Sequence, residues 1–164
     1  MEMPLKFNVL QPDTITDATI ITILENAAID HEDNGGLYVT AYRINFWLGV
    51  DPKRKLLFLY TYWPSLPDVD ELEILRFANQ ANSNKIMLQF SYNAELGRFY
   101  GYYAHSFSVG LIQPHVLRLA QHFSSIFEDV VQEGIEEGVL EQPTDRPDDD
   151  EDEVDDPVTE LTVH

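Results

Sequence analysis

The sequence predicts an α+β fold in which an antiparallel β-sheet packs against three helices. Apolar residues recur at helical spacing in three stretches and alternate with period two in the stretches between them. Prolines, glycines and asparagines fall where one period gives way to the other. The expected order is α-β(β)β-α-β-β-α, followed by an acidic C-terminal tail.

Leu5, Phe7 and Val9 alternate ahead of Pro12 and suit either a short edge strand or a frayed arm. Thr14 followed by Asp17 marks the start of the first helix, whose stripe is Ile20, Ile23, Leu24, Ala27 and Ala28, ending near Ile29. The next loop, Asp30 to Gly36, imitates the opening of a calcium-binding loop. Ala41 stands where the bidentate glutamate belongs, and strand-like residues follow where a helix is required. A solvated loop ending in glycine is therefore the expectation.

Residues 37–50 alternate without a turn signal, Tyr38, Tyr42, Ile44, Phe46 and Leu48 against Val39, Arg43, Asn45 and Trp47. They form one long bent strand or two strands with a bulge near Ala41 to Arg43. Asp51-Pro52-Lys53-Arg54 makes a turn, and its basic cluster reads as solvated charge rather than an anion site. Residues 55–63 are apolar on both faces, which places that strand centrally.

The segment from Asp68 to Val109 is the most informative. Asp68 and Glu71 have the spacing of a capping box, and Leu72, Leu75 and Ala78 form a helical stripe. After Asn82-Ser83-Asn84 the period becomes two, with Ile86, Leu88, Phe90 and Tyr92 on one face. A turn from Asn93 to Gly97 leads to a strand in which Phe99, Gly101, Tyr103, His105 and Phe107 alternate with Tyr100, Tyr102, Ala104 and Ser106. Gln113-Pro114 then opens a final helix whose stripe runs from Val116 through Phe123 and Phe127 to Val131.

The length of 164 residues suits a single domain, expected over residues 1–140, with residues 141–164 as a tail too charged to collapse. Eleven of the 29 acidic residues and one of the 10 basic residues lie from Glu141 onward, so the tail carries −10 of the −19 and the body about −9. A body of that sign repels a phosphate backbone, which argues against nucleic acid. The chain has no cysteine, which removes thiol nucleophiles and thiolate metal sites. Residues 1–4 lack signal-peptide features and no long apolar run is present, so a cytoplasmic protein without a membrane partner is expected.

No catalytic constellation is visible: there is no glycine-rich phosphate loop, Gly-x-Ser-x-Gly elbow or His-Glu-x-x-His helix. His115 and His122 form the one candidate metal pair, seven apart on the last helix, and a half-exposed helix flank accounts for them as well. No catalytic, cofactor-binding or metal-binding residue is nominated.

The Leu75-x-x-Ala78-Asn79-x-x-Asn82 helix, the hairpin with Gly97 and the proline-started last helix together resemble the YbjN-type domain family, over roughly residues 15–132. That fold is shared with type III secretion chaperones. The resemblance implies a homodimeric, non-catalytic domain that binds a protein or peptide partner, as a chaperone or as a regulator.

If the helices cover the sheet face of Ile44, Phe46, Leu48, Leu88, Phe90, Phe99 and Tyr103, alternation sends Trp47, Met87, Tyr100 and Tyr102 to the opposite face. Arg43, Asn45, Gln89 and Ser91 go with them, and Tyr60 and Tyr62 join from the central strand. These six aromatic and methionine residues are the expected partner-binding surface. The competing reading is a small-molecule sensor or enzyme with its pocket on that aromatic face.

Overall fold

The computed structural model describes residues 8–143. Its main body is a six-stranded antiparallel sheet in the order β2-β3-β4-β5-β7-β6, formed by β2 (His31–Asp33), β3 (Leu37–Val39), β4 (Phe46–Asp51), β5 (Leu56–Pro64), β6 (Gln89–Asn93) and β7 (Arg98–Ser106). The helices are α1 (Asp17–Asn26), α2 (Glu71–Asn84) and α3 (Gln113–Glu136). A small ribbon pairs β1 (Val9–Leu10) with β8 (Leu111–Ile112), so the short N-terminal strand exists but lies outside the main sheet.

The helices form where the stripes predict them, with shifted ends. Thr16, not Thr14, caps α1, exchanging hydrogen bonds with Thr19 in a capping box. The helix stops earlier than the stripe suggests, because Ala28 adopts a left-handed backbone at φ 55°. On α2 the cap is Asp70 rather than Asp68, its carboxylate accepting from the Leu72 amide. The buried stripe there is Ile74, Phe77, Ala78 and Ala81, while Leu72 and Leu75 are 50% and 43% exposed. Of the expected stripe only Ala78 is buried, and Ile74, Phe77 and Ala81 take the sheet-facing places expected of the two leucines.

Residues 37–50 are neither one bent strand nor a bulged pair. The chain reverses between β3 and β4, and the two strands pair back to back in sequence as Tyr38↔Trp47 and Val39↔Phe46. The reversal is tied to α3: the Ser124 hydroxyl donates to the Ile44 carbonyl at 3.0 Å and accepts from the Ile44 amide at 3.1 Å. The calcium-like loop is a second hairpin, β2–β3, turning through Gly35 and Gly36 with the Asp33 carboxylate accepting from the Gly36 amide. At the next turn the Asp51 carboxylate accepts from the Lys53 and Arg54 amides and from the Arg54 side chain, which holds its pKa below the usual value.

One core lies between the helices and one sheet face. Phe46, Leu48, Leu57, Leu59, Phe90 and Phe99 meet Ile20 and Leu24 of α1, Ile74 and Phe77 of α2, and Phe123 and Phe127 of α3. Gly101 lets α3 approach β7 closely: a methyl group there would lie 2.6 Å from Phe127 Cε2. The strand β6 starts later than alternation predicts. Ile86 is 89% exposed and Met87 sits at φ 91°, so both belong to the connection from α2. At this sheet edge the Asn82 side chain takes the place of a neighbouring strand, donating to the Phe90 carbonyl at 3.0 Å and accepting from its amide at 2.8 Å.

Past α3 the chain folds back. Gly134 makes room for Leu140, and the Glu141 amide donates to the Pro64 carbonyl while the Trp63 indole donates to the Glu141 carbonyl. Ordered contacts thus run past the 140/141 boundary expected from composition; residues 144–164 of the expected tail lie outside the described residues.

Candidate protein-binding face

The sheet face turned away from the core is a layer of aromatic rings. Strand register places Tyr38, Trp47, Tyr60, Tyr102 and Gln89 in one row across the sheet, with Tyr62, Tyr100 and Ser91 in the next. Within these rows Trp47 stacks on Tyr60 at 5.5 Å and 15°, and Tyr62 meets Tyr100 at 5.6 Å. The Arg98 guanidinium lies 4.2 Å over the Tyr62 ring, a cation–π contact within the layer. Trp47 and Phe58 are buried yet stand apart from the core cluster, to which the buried residues of all three helices contribute.

Of the residues expected on this face, Tyr60, Tyr62, Tyr100 and Tyr102 are there and half-buried. Trp47 is on the face but only 6% exposed, because Tyr38 packs on it at 4.6 Å and its indole donates to the Asn34 carbonyl at 2.8 Å. Most of its surface is therefore taken up by the rings and loop around it. Met87 is not on the face: outside the strand, it packs against the core. Arg43 and Asn45 belong to the β3–β4 reversal, where Arg43 pairs with Glu128 and the Asn45 carbonyl accepts from Thr61.

Sequence reasoning missed Tyr38, Phe58 and Arg98. The hairpin between β3 and β4 flips Tyr38 from the expected core side to Trp47's side, and no turn residue announces that reversal. Phe58 and Arg98 could have been found by extending the alternation of Tyr60, Tyr62 and Tyr100 along their own strands.

The layer runs at one side into a groove of about 720 Å³ around the end of β4, where β3 has stopped pairing. Trp47, Phe58 and Tyr60 line it together with Asp17, Glu32 and Asp33. On the other side of the sheet His105 lies edge-on to His115 at 4.8 Å, and burial followed by the nearby His115 lowers its pKa. His115 thus pairs with His105 of β7, and among the described residues no three His, Asp or Glu side chains are grouped to hold a metal ion. No helix among them is long and apolar enough to cross a membrane.

A six-stranded antiparallel sheet with three helices packed against it defines an α+β sandwich of helices and sheet. The same fold is found in YbjN from E. coli, described as a candidate transcription regulator: the match has a TM-score of 0.65 at 9% identity and covers 76% of this chain and 95% of that one. The chain therefore has the YbjN-type fold. A second solved structure, the HopA1–SchA chaperone–effector complex, aligns at a TM-score of 0.46 and 15% identity over 66% of this chain and 84% of that one. Neither a protein-family model nor a curated protein matches the chain by sequence.

Proposed function

We propose that this chain is a non-catalytic protein-binding module of the cytoplasm, chaperone-like or regulatory, that acts as a homodimer and recruits a protein or peptide partner through the aromatic face. The observation that carries the reading is the tyrosine layer itself. Tyr60, Tyr62, Tyr100 and Tyr102 are half-buried on the sheet face turned away from the core and none of them belongs to the core cluster, and tyrosine supplies contact area at low entropic cost. A second copy and a foreign partner are the two occupants such a layer suits, and residues 144–164 are read as an acidic appendage that tunes solubility or access.

The structure changes how this is tested. Trp47→Ala would loosen the layer, so the clean variant is Tyr100→Ser with Tyr102→Ser. Affinity capture from native lysate should lose its specific bands with this double variant while the melting temperature stays close to that of the parent. Capture that persists unchanged would move the binding surface elsewhere. Light scattering at tens of micromolar should give the mass of a dimer; a monomeric mass would remove the homodimer from the reading.

A further inference from the structure

The groove at the end of β4 is floored by a glycine that the fold does not need. Gly49 sits in mid-strand between Trp47 and Asp51, opposite Phe58. Its backbone is not in the left-handed region. A methyl group built on it would meet nothing within 4 Å. Gly101, by contrast, is demanded by Phe127 of α3. A strand glycine weakens the sheet, and one without a conformational or packing reason marks a place where something else approaches the backbone.

The surroundings say what approaches. Trp47, Phe58 and Tyr60 wall the space above Gly49, and the lining carries four carboxylates, Asp17, Glu32, Asp33 and Asp51, against one histidine, His31, and no lysine or arginine. Arg54 neutralises Asp51. The Asp17 carboxylate accepts from the Val50 amide and that of Asp33 from the Gly36 amide, but Asp17, Glu32 and Asp33 have no ion-pair partner among the described residues. These carboxylates are spread along the rim and form no metal-holding group, a layout that fits an extended organic cation. The same face already uses this chemistry twice, with the Arg54 guanidinium 5.4 Å over the Phe58 ring and that of Arg98 4.2 Å over the Tyr62 ring.

Resting on the reading of the aromatic layer as a protein-binding face, we propose that this groove receives a lysine or arginine side chain of an apolar segment of the partner, its stem over Gly49 and its charge at the acidic rim. The partner's recognition segment is thus cationic and apolar, a chemistry opposite in sign to the chain's own tail.

The test is fluorescence anisotropy at about 0.15 M salt with a labelled heptapeptide alternating leucine and lysine. Gly49→Ile fills the floor with a residue that strands favour and should cut affinity at least ~10-fold without lowering the melting temperature. Glu32→Gln with Asp33→Asn should cut it by a similar factor, while Asp148→Asn with Asp149→Asn, the same change of charge in the tail, should leave it within about twofold. Equal losses from the rim and tail pairs would overturn the proposal in favour of diffuse attraction, and full binding by Gly49→Ile would place the peptide elsewhere. Equal binding of a glutamate-for-lysine peptide, or displacement by spermine as readily as by unlabelled peptide, would overturn the assignment to a basic apolar segment. Capture from lysate that survives Gly49→Ile but falls in the Tyr100/Tyr102 double variant would overturn the groove alone and leave the binding reading standing.

Discussion

The two faces of one sheet are built from alternate residues of the same strands, yet they differ in chemistry. The inner face uses phenylalanine: Phe99 is fully buried and packs on Phe90 at 5.7 Å, Phe77 at 5.3 Å and Phe127 at 6.3 Å. The outer face uses tyrosine around a buried tryptophan, Trp47, with one buried phenylalanine, Phe58. Three tyrosines pack against the inner side: Tyr92 meets the Ser65 hydroxyl at 3.1 Å, Tyr103 meets the His105 ring at 3.3 Å, and Tyr42 stacks on Phe46 at 6.1 Å, where burial raises its pKa. A phenol in a closed core must find a partner or lose the hydrogen bonds it made to water, whereas a phenol on an open face keeps them. Tyrosine on the outer face therefore gives a layer that is rigid and apolar in its rings and still tolerates solvent.

The comparison can be broken most directly at Phe99. Phe99→Ala should cost roughly 3–5 kcal/mol, because its cavity opens where three other rings meet, and denaturant unfolding will read the loss. Trp47→Ala should cost less, about 2–3 kcal/mol, since its neighbours lie at the surface and can settle into the space. An equal cost for the two would mean that the outer layer is a second core. At the edge between the faces, Asn82→Ala strips both partners from the Phe90 backbone and should cost about 1–3 kcal/mol. Faster amide exchange at Phe90, with Gly101 across the strand unaffected, would locate the damage at the edge.

A smaller effect is expected at the margin of the inner face. The pKa of His105 is lowered from 6.5, first by burial and then by His115, so the folded state binds this proton less readily than the unfolded chain does. The stability contributed by the neutral ring is full above 6.5 and declines as the pH falls through 6.5 toward the folded-state value. His115→Gln should raise the His105 value toward 6.5 without reaching it, because burial remains; imidazole proton shifts across a pH titration will show whether it moves. The smallest effect concerns residues 144–164. Cutting after Pro143, which spares the Glu141 contacts with Pro64 and Trp63, should move the melting temperature by no more than about 2 °C. A drop of ten degrees or more would show that the acidic segment supports the fold.

Much of the architecture was written in local periodicity. The stripes of α1, α2 and α3, the central place of β5 between β4 and β7, and the alternation of Phe99, Gly101 and Tyr103 against Tyr100 and Tyr102 all follow from residue spacing. Helix ends were less legible because several capping residues stand near each start: Asp68 and Asp70 compete for α2, and Thr14 and Thr16 for α1.

By itself, then, the sequence determined the three helices, the strands β5 and β7 and the tyrosines on one side of the sheet, while it read β2 as a loop and left β3 and β4 undivided. Tertiary structure decided the rest. The reversal after β3 places Tyr38 beside Trp47, and this parity change is set by anchoring to Ser124 of α3, eighty residues away, rather than by a turn residue. The Asn34 carbonyl and Tyr38 ring close over Trp47 and leave it only 6% exposed. Gly49 reads as an ordinary weak point in a strand until the end of β3 leaves it at the floor of an acidic groove. In each case the deciding neighbour is distant in the chain or absent from the strand's own pattern, and periodicity records only what a residue's immediate neighbours require.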